Sequence, residues 1–234
     1  MEDNTQNNEN KNAAHRSVLN MALAIAGVIA MGLLFKWALN IATGKKDQYA
    51  EKYLIEAVEY MSNKDYNEAM NKLNSSIKFD STNAYAYIYR GKLYYLQEKQ
   101  DKALADLNTG IAKNPDADEA YLYRADLFYL REDYSSAFND YSKSIEISPT
   151  ADAYIGRGNV YLNMNNPTEA IANYTQAIEL TPDNAEVYFI RGNVYNQQGM
   201  YDEAIADFTK AVELNPDEKK YSQNLDFANK LKNE

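Results

Sequence analysis

Residues 187–195 read VYFIRGNVY, and residues 153–161 read AYIGRGNVY. Upstream, 120–128 read AYLYRADLF and 86–94 read AYIYRGKLY. In chain order the four copies lie 34, 33 and 34 residues apart. A fixed period of this length signals stacked supersecondary units, none of which can bury its apolar face alone. Working outward, an alanine that opens a second apolar run recurs as Ala69, Ala103, Ala137, Ala170 and Ala204. Taking it as position 20 sets five repeats, at 50–83, 84–117, 118–150, 151–184 and 185–216.

The recurring letters follow a physical logic. Position 4 is Tyr53, Tyr87, Tyr121, Tyr154 and Tyr188; position 8 is Ala57, Gly91, Ala125, Gly158 and Gly192. Position 11 is Tyr60, Tyr94, Phe128, Tyr161 and Tyr195. Spacings of three and four put all three positions on one face of one helix. A second helix carries the alanine at position 20 and Leu73, Leu107, Tyr141, Tyr174 or Phe208 at position 24. Rings supply buried area, and small residues at positions 8 and 20 let the two backbones approach. Pro115, Pro149, Pro182 and Pro216 follow the second helix, which proline cannot continue. Asp65, Asp133 and Asn166 stand where that helix needs an N-cap, and Pro167 suits its first turn. Residues 217–234 read as one more helix, whose Tyr221, Leu225 and Ala228 cover the open end.

Over residues 50–216 this pattern resembles the tetratricopeptide repeat family. The resemblance implies an all-α fold, a right-handed α-solenoid of five helix pairs with a concave groove. Here it would carry a C-terminal capping helix at 217–234 and be preceded by one transmembrane helix. The resemblance also implies that positions 2, 5, 9 and 12 of each first helix line the groove, with 6 and 13 nearby. The candidate partner-binding residues are Tyr85, Tyr89, Lys92, Tyr95, Tyr123, Asp126, Tyr129, Asn159, Phe189 and Asn193; Ile88 also falls at such a place. Tyrosines are rigid, amphipathic anchors for peptides; the alternative for these rings is packing between helices. Asn159 and Asn193 are candidates to bond an extended peptide backbone. The clamp with which some family members grip acidic chaperone tails is not matched: Asn159 fits, but Ile155 and Ile190 replace its lysine and second asparagine.

Position 7 departs from the family's Leu-like residue. It is Arg90, Arg124, Arg157 and Arg191, but Glu56 in the first repeat. Position 23 is Asp106, Asp140, Asn173 and Asp207, but Lys72 in the first repeat. Both signs reverse in the same repeat, so an ion pair within each repeat is expected. The competing reading is an arginine ladder that grips anionic ligands.

The head of the chain differs in kind. Residues 1–16 are polar and Asn-rich, and read as a disordered tail. Residues 18–35, VLNMALAIAGVIAMGLLF, contain one polar residue, Asn20. As a helix they would span about 27 Å, close to the bilayer core. Lys36 and Trp37 follow as interfacial anchors. We read 17–43 as a single-pass membrane anchor and 44–49 as a juxtamembrane linker. A cleaved signal peptide and a buried helix are the alternatives. Lys36, Lys45, Lys46 and Lys52 follow the segment while Lys11 and Arg16 precede it, which predicts that the repeats face the cytoplasm.

Composition narrows the function classes. Residues 1–46 carry five Lys/Arg against three Asp/Glu, and the remainder 19 against 31. So acidic a body weighs against nucleic acid as a partner. There is no cysteine, and the single histidine is His15. The repeats therefore hold no thiol nucleophile, histidine base or Cys/His metal cluster. No Gly-rich phosphate cradle appears, so no cofactor is expected. The expectation is a membrane-anchored adaptor, not an enzyme, that binds a protein or peptide. A self-assembling homo-oligomeric scaffold and an accessory subunit of a membrane translocation or enzyme complex are the alternatives.

Overall fold

The computed structural model describes residues 44–233. The tail at 1–16 and the apolar segment at 17–43 lie outside the described residues. Among those described there are eleven helices and no strand. They are α1 (44–62), α2 (Tyr66–Phe79), α3 (Ala84–Leu96), α4 (Gln100–Lys113), α5 (Asp118–Leu130) and α6 (Tyr134–Ile147). There follow α7 (Ala151–Asn163), α8 (Pro167–Leu180), α9 (Ala185–Gln197), α10 (Tyr201–Leu214) and α11 (Lys219–Lys232). Residues 44–49, expected as a linker, are helical and continuous with the first repeat. None of these helices is long and apolar enough to cross a membrane.

Helix ends follow the local chemistry. Asp65, Asp133 and Asn166 each accept a hydrogen bond from the backbone N–H three residues on, the N-cap geometry that satisfies an orphan donor. Pro167 opens α8. Each proline at position 32 stands two residues beyond the last helical residue of α4, α6, α8 or α10. Between the two helices of every repeat, position 15 adopts the left-handed conformation: Lys64, Glu98, Glu132, Asn165 and Gly199 have φ of 57° to 73°. Only the last repeat uses glycine there.

Each helix packs on its successor, giving a solenoid. In addition α3 packs on α5 and α5 on α7, while no second helix contacts its counterpart as closely. The stack therefore bends toward the first helices, whose outer faces form the concave side. Positions 8, 20 and 24 build the core: Ala57, Leu73, Ala103, Leu107, Ala137, Ala170, Tyr174, Ala204 and Phe208 are fully buried. The glycines at position 8 are needed for close approach. A Cβ at Gly158 would lie 2.7 Å from the Tyr174 ring, and one at Gly192 would lie 2.8 Å from Phe208. At the C-terminal end Tyr221 and Ala228 are buried and Leu225 joins them against Phe208 and Ala204, so α11 caps the stack.

The arginines at position 7 are structural. Arg124 donates from Nε and Nη2 to the two carboxylate oxygens of Asp140, at 2.6 and 2.9 Å. Arg90 and Arg191 grip Asp106 and Asp207 in the same bidentate way, and Arg157 donates to Asn173. In the first repeat Lys72 lies 2.6 Å from Glu56, the expected reversal. Each guanidinium has a second role. Its Nη1 reaches back to the preceding repeat, to Asn74, Asn108, Ser142 or Thr175. One planar fork thus ties two helices of a repeat and staples that repeat to its neighbour. Rings at position 4 flank the forks, Tyr87 at 5.5 Å from Arg90 and Tyr121 at 5.5 Å from Arg124. Engaged in these contacts, the arginines form no ligand-gripping ladder.

Candidate functional site

The concave face changes character along its length. At the N-terminal end α1 and α3 leave a cleft of about 350 Å³ lined by Leu54, Ile55, Val58, Tyr85 and Tyr89. Ile55 is 63% exposed, and Val58 and Tyr85 are each 42% exposed. A second cleft of about 440 Å³ continues from Val58 and Tyr89 to Lys92, Leu96 and Glu119. Large apolar groups left in water at one end of a groove mark an interaction surface more than a fold requirement. Their exposure follows from register. Positions 6 and 9 of α1 point away from α2, and no earlier described helix covers them.

Toward the middle the face becomes polar and aromatic. Tyr89, Tyr95 and Tyr123 are half-buried. Burial foremost, and then the Glu119 carboxylate, pushes the Tyr89 hydroxyl up to about 12. Tyr123 is raised further by burial, with Glu119, Asp126 and Asp152 adding to it. Tyr95 is raised by burial and by Asp126. The Lys92 ammonium lies 4.7 Å from the Tyr123 ring centre, so it sits on this face rather than in an ion pair.

Asp126 is the most perturbed carboxylate of the groove. Burial raises it to about 6; a hydrogen bond from Tyr141 works against the rise, and the neighbouring Asp152 adds to it. The Tyr141 hydroxyl donates to Asp126 at 2.6 Å. One repeat on, Tyr174 donates to Asn159 at 2.7 Å. Position 24 thus reaches through the repeat to fix position 9. The expectation for Asn159 is narrowed accordingly: its carbonyl oxygen is engaged, and its amide N–H is the group left for a ligand. In repeat five Phe208 stands where these tyrosines stand and has no hydroxyl to donate to Asn193.

Other expected site residues are drawn into packing. Phe189 lies 5.8 Å from Phe208 and 5.0 Å from Tyr221, under the capping helix. Tyr129 meets Tyr134 edge-on at 5.7 Å and accepts a hydrogen bond from Asn163. Ile88 is fully buried, because its side chain fills the space above Gly110. Tyr85, Tyr89, Lys92, Tyr95, Tyr123 and Asp126 share the continuous face from α3 to α5. Leu54, Ile55 and Val58 escaped the sequence reading, although they occupy positions 5, 6 and 9 of the first repeat. Applying the groove positions to that divergent repeat finds them.

Among the described residues no group of His, Cys, Asp or Glu is placed to hold a metal ion. The side chains gathered on this face offer shape, rings and charge.

Models of tetratricopeptide repeats match residues 58–98, 90–152 and 155–219. No curated protein is significantly similar in sequence. Among solved structures, MamA is 25% identical with a TM-score of 0.60, over 70% of this chain and 97% of that one. TTC0263, a thermophilic TPR protein of Thermus thermophilus, is 20% identical with a TM-score of 0.61, over 76% and 98%. YrrB, a TPR protein with an unusual peptide-binding site, is 19% identical with a TM-score of 0.60, over 80% and 95%. The last two likenesses show the fold alone. The helix pairs, their period and a repeat model that matches more than half of the residues lead to one conclusion: the chain belongs to the tetratricopeptide repeat family.

Proposed function

We propose that the chain is a membrane-anchored adaptor that holds a partner protein or peptide on its concave face. The observation that carries this reading is the open, apolar and tyrosine-lined groove on α1, α3 and α5, with Ile55, Val58 and Tyr85 left in water. Family membership supports it, as does the likeness to a protein described by its peptide-binding site. The apolar run at 18–35 supports anchoring through 17–43, and the lysines that follow it support a cytoplasmic orientation of the repeats. The role is binding rather than catalysis. In native membranes, a photo-crosslinker in place of Tyr85 or Tyr89 is expected to capture one dominant foreign protein. Products containing only this chain would replace the adaptor by a self-assembling scaffold. No product from either position would remove the groove as the binding surface.

A further inference from the structure

Resting on that reading of the groove, we infer the chemistry of its occupant: an extended peptide with one bulky apolar side chain followed or preceded at short range by Lys or Arg. Two observations converge. The first is the apolar cleft between α1 and α3, with a volume of about 350 Å³ and walls of Leu54, Ile55, Val58, Tyr85 and Tyr89. It accepts a large hydrocarbon or aromatic side chain. The second is the charge beyond it. Glu119 lines the second cleft with Tyr89 and Lys92, Asp126 is fixed on the same face by the Tyr141 hydroxyl at 2.6 Å, and both, with Asp152, bear on the Tyr123 hydroxyl. Among the described residues none of the three forms an ion pair with Lys or Arg, whereas Glu186 further along is paired with Lys220 at 2.8 Å.

Carboxylates held beside half-buried rings with no cation on them, the buried Asp126 above all, are an unfavourable arrangement in the free protein. A guanidinium or ammonium group is the complement that relieves it, by charge and by stacking on the Tyr89 ring. Lys92, on the same face, is turned onto the Tyr123 ring and forms no ion pair with the three carboxylates. The geometry also sets a spacing. First helices of successive repeats stand roughly 10 Å apart and an extended peptide advances about 3.3 Å per residue. The apolar and basic residues of the partner are therefore separated by about three to six positions.

The test uses the full chain in detergent and a phage-displayed library of random linear peptides. Enriched sequences are expected to combine Leu, Ile, Phe or Trp with Lys or Arg at that spacing. A synthetic winner should lose about tenfold in affinity to Val58→Arg and likewise to the pair Glu119→Gln with Asp152→Asn. The second loss should shrink as salt is raised. Ile55→Ser serves as a second cleft variant, and circular dichroism reports whether each variant is folded. Winners that lose affinity to Val58→Arg or Ile55→Ser but carry no basic residue would overturn the inferred chemistry and leave groove binding standing. Winners indifferent to every concave substitution, or no winners, would overturn both. A crosslinker at Tyr85 that reaches residues 1–43 or a second copy would assign the cleft to the chain itself and overturn the inference.

Discussion

Replacing Asp126 by asparagine should make the protein more stable and its groove a poorer receptor for cations. Asp126 is raised from an ordinary 3.8 to about 6, chiefly by burial. A rise of about two pH units, at about 1.36 kcal/mol for each, amounts to about 3 kcal/mol by which the fold disfavours the ionised carboxylate. The sign follows from proton linkage. The folded state holds its proton up to about pH 6 and the unfolded state releases it near 4, so stability falls as pH rises across that window. Asparagine removes the titration and still offers an oxygen to Tyr141, as Asn159 does to Tyr174 at 2.7 Å in the next repeat. The gain in Asp126→Asn is expected to be about 2–3 kcal/mol at neutral pH, or about 5–10 °C in Tm. It should disappear at about pH 3, where the wild-type carboxyl is protonated in the folded state and largely so in the unfolded one. Thermal unfolding followed by far-UV circular dichroism at the two pH values measures both. A variant no more stable than wild type at neutral pH, or a gain independent of pH, would refute the reasoning.

Other consequences concern the stack. Arg124→Ala leaves Asp140 buried without its cation and should cost about 3–5 kcal/mol in urea unfolding. The exchange Arg124→Glu with Asp140→Lys should recover part of that loss, because Glu56 and Lys72 already pair in this order at 2.6 Å. Gly156→Ala drives a methyl to 2.3 Å from the Tyr141 ring, which Asp126 holds in place, and should cost about 1–3 kcal/mol in the same assay. Glu98→Gly and Glu132→Gly relieve left-handed backbone at φ of 59° and should each raise stability by about 1 kcal/mol in thermal melts.

The repeat arithmetic was legible because it rests on periodic physics. Rings at positions 4, 11 and 24 and small residues at 8 and 20 can satisfy one another only as paired helices. The capping helix was legible for the same reason, since Tyr221 and Ala228 continue the apolar period. The Arg–Asp pairing showed itself through the joint reversal at Glu56 and Lys72. The link from each fork to the preceding repeat did not, because Asn74, Asn108, Ser142 and Thr175 share hydrogen-bonding capacity but not one common letter. The groove was legible only in outline. A sequence places tyrosines without saying which way a ring turns, and so Phe189 and Tyr129 looked equivalent to Tyr85. The left-handed turn at position 15 was equally hidden, as four of its five residues are not glycine. The coupling of Tyr141 to Asp126 and of Tyr174 to Asn159 could have been inferred from the co-occurrence of Tyr at position 24 with Asp or Asn at position 9.

The central claim is that the inner face of this solenoid binds the partner. The most direct test compares the affinity of the crosslinked partner for concave and convex variants of the full chain. Tyr89→Ala and Tyr123→Ala on the inner face should each lower affinity about tenfold or more, while Lys143→Ala and Lys210→Ala on the second helices should leave it unchanged. Full affinity in the tyrosine variants with loss in the lysine variants would place the interface on the outer face and contradict the account.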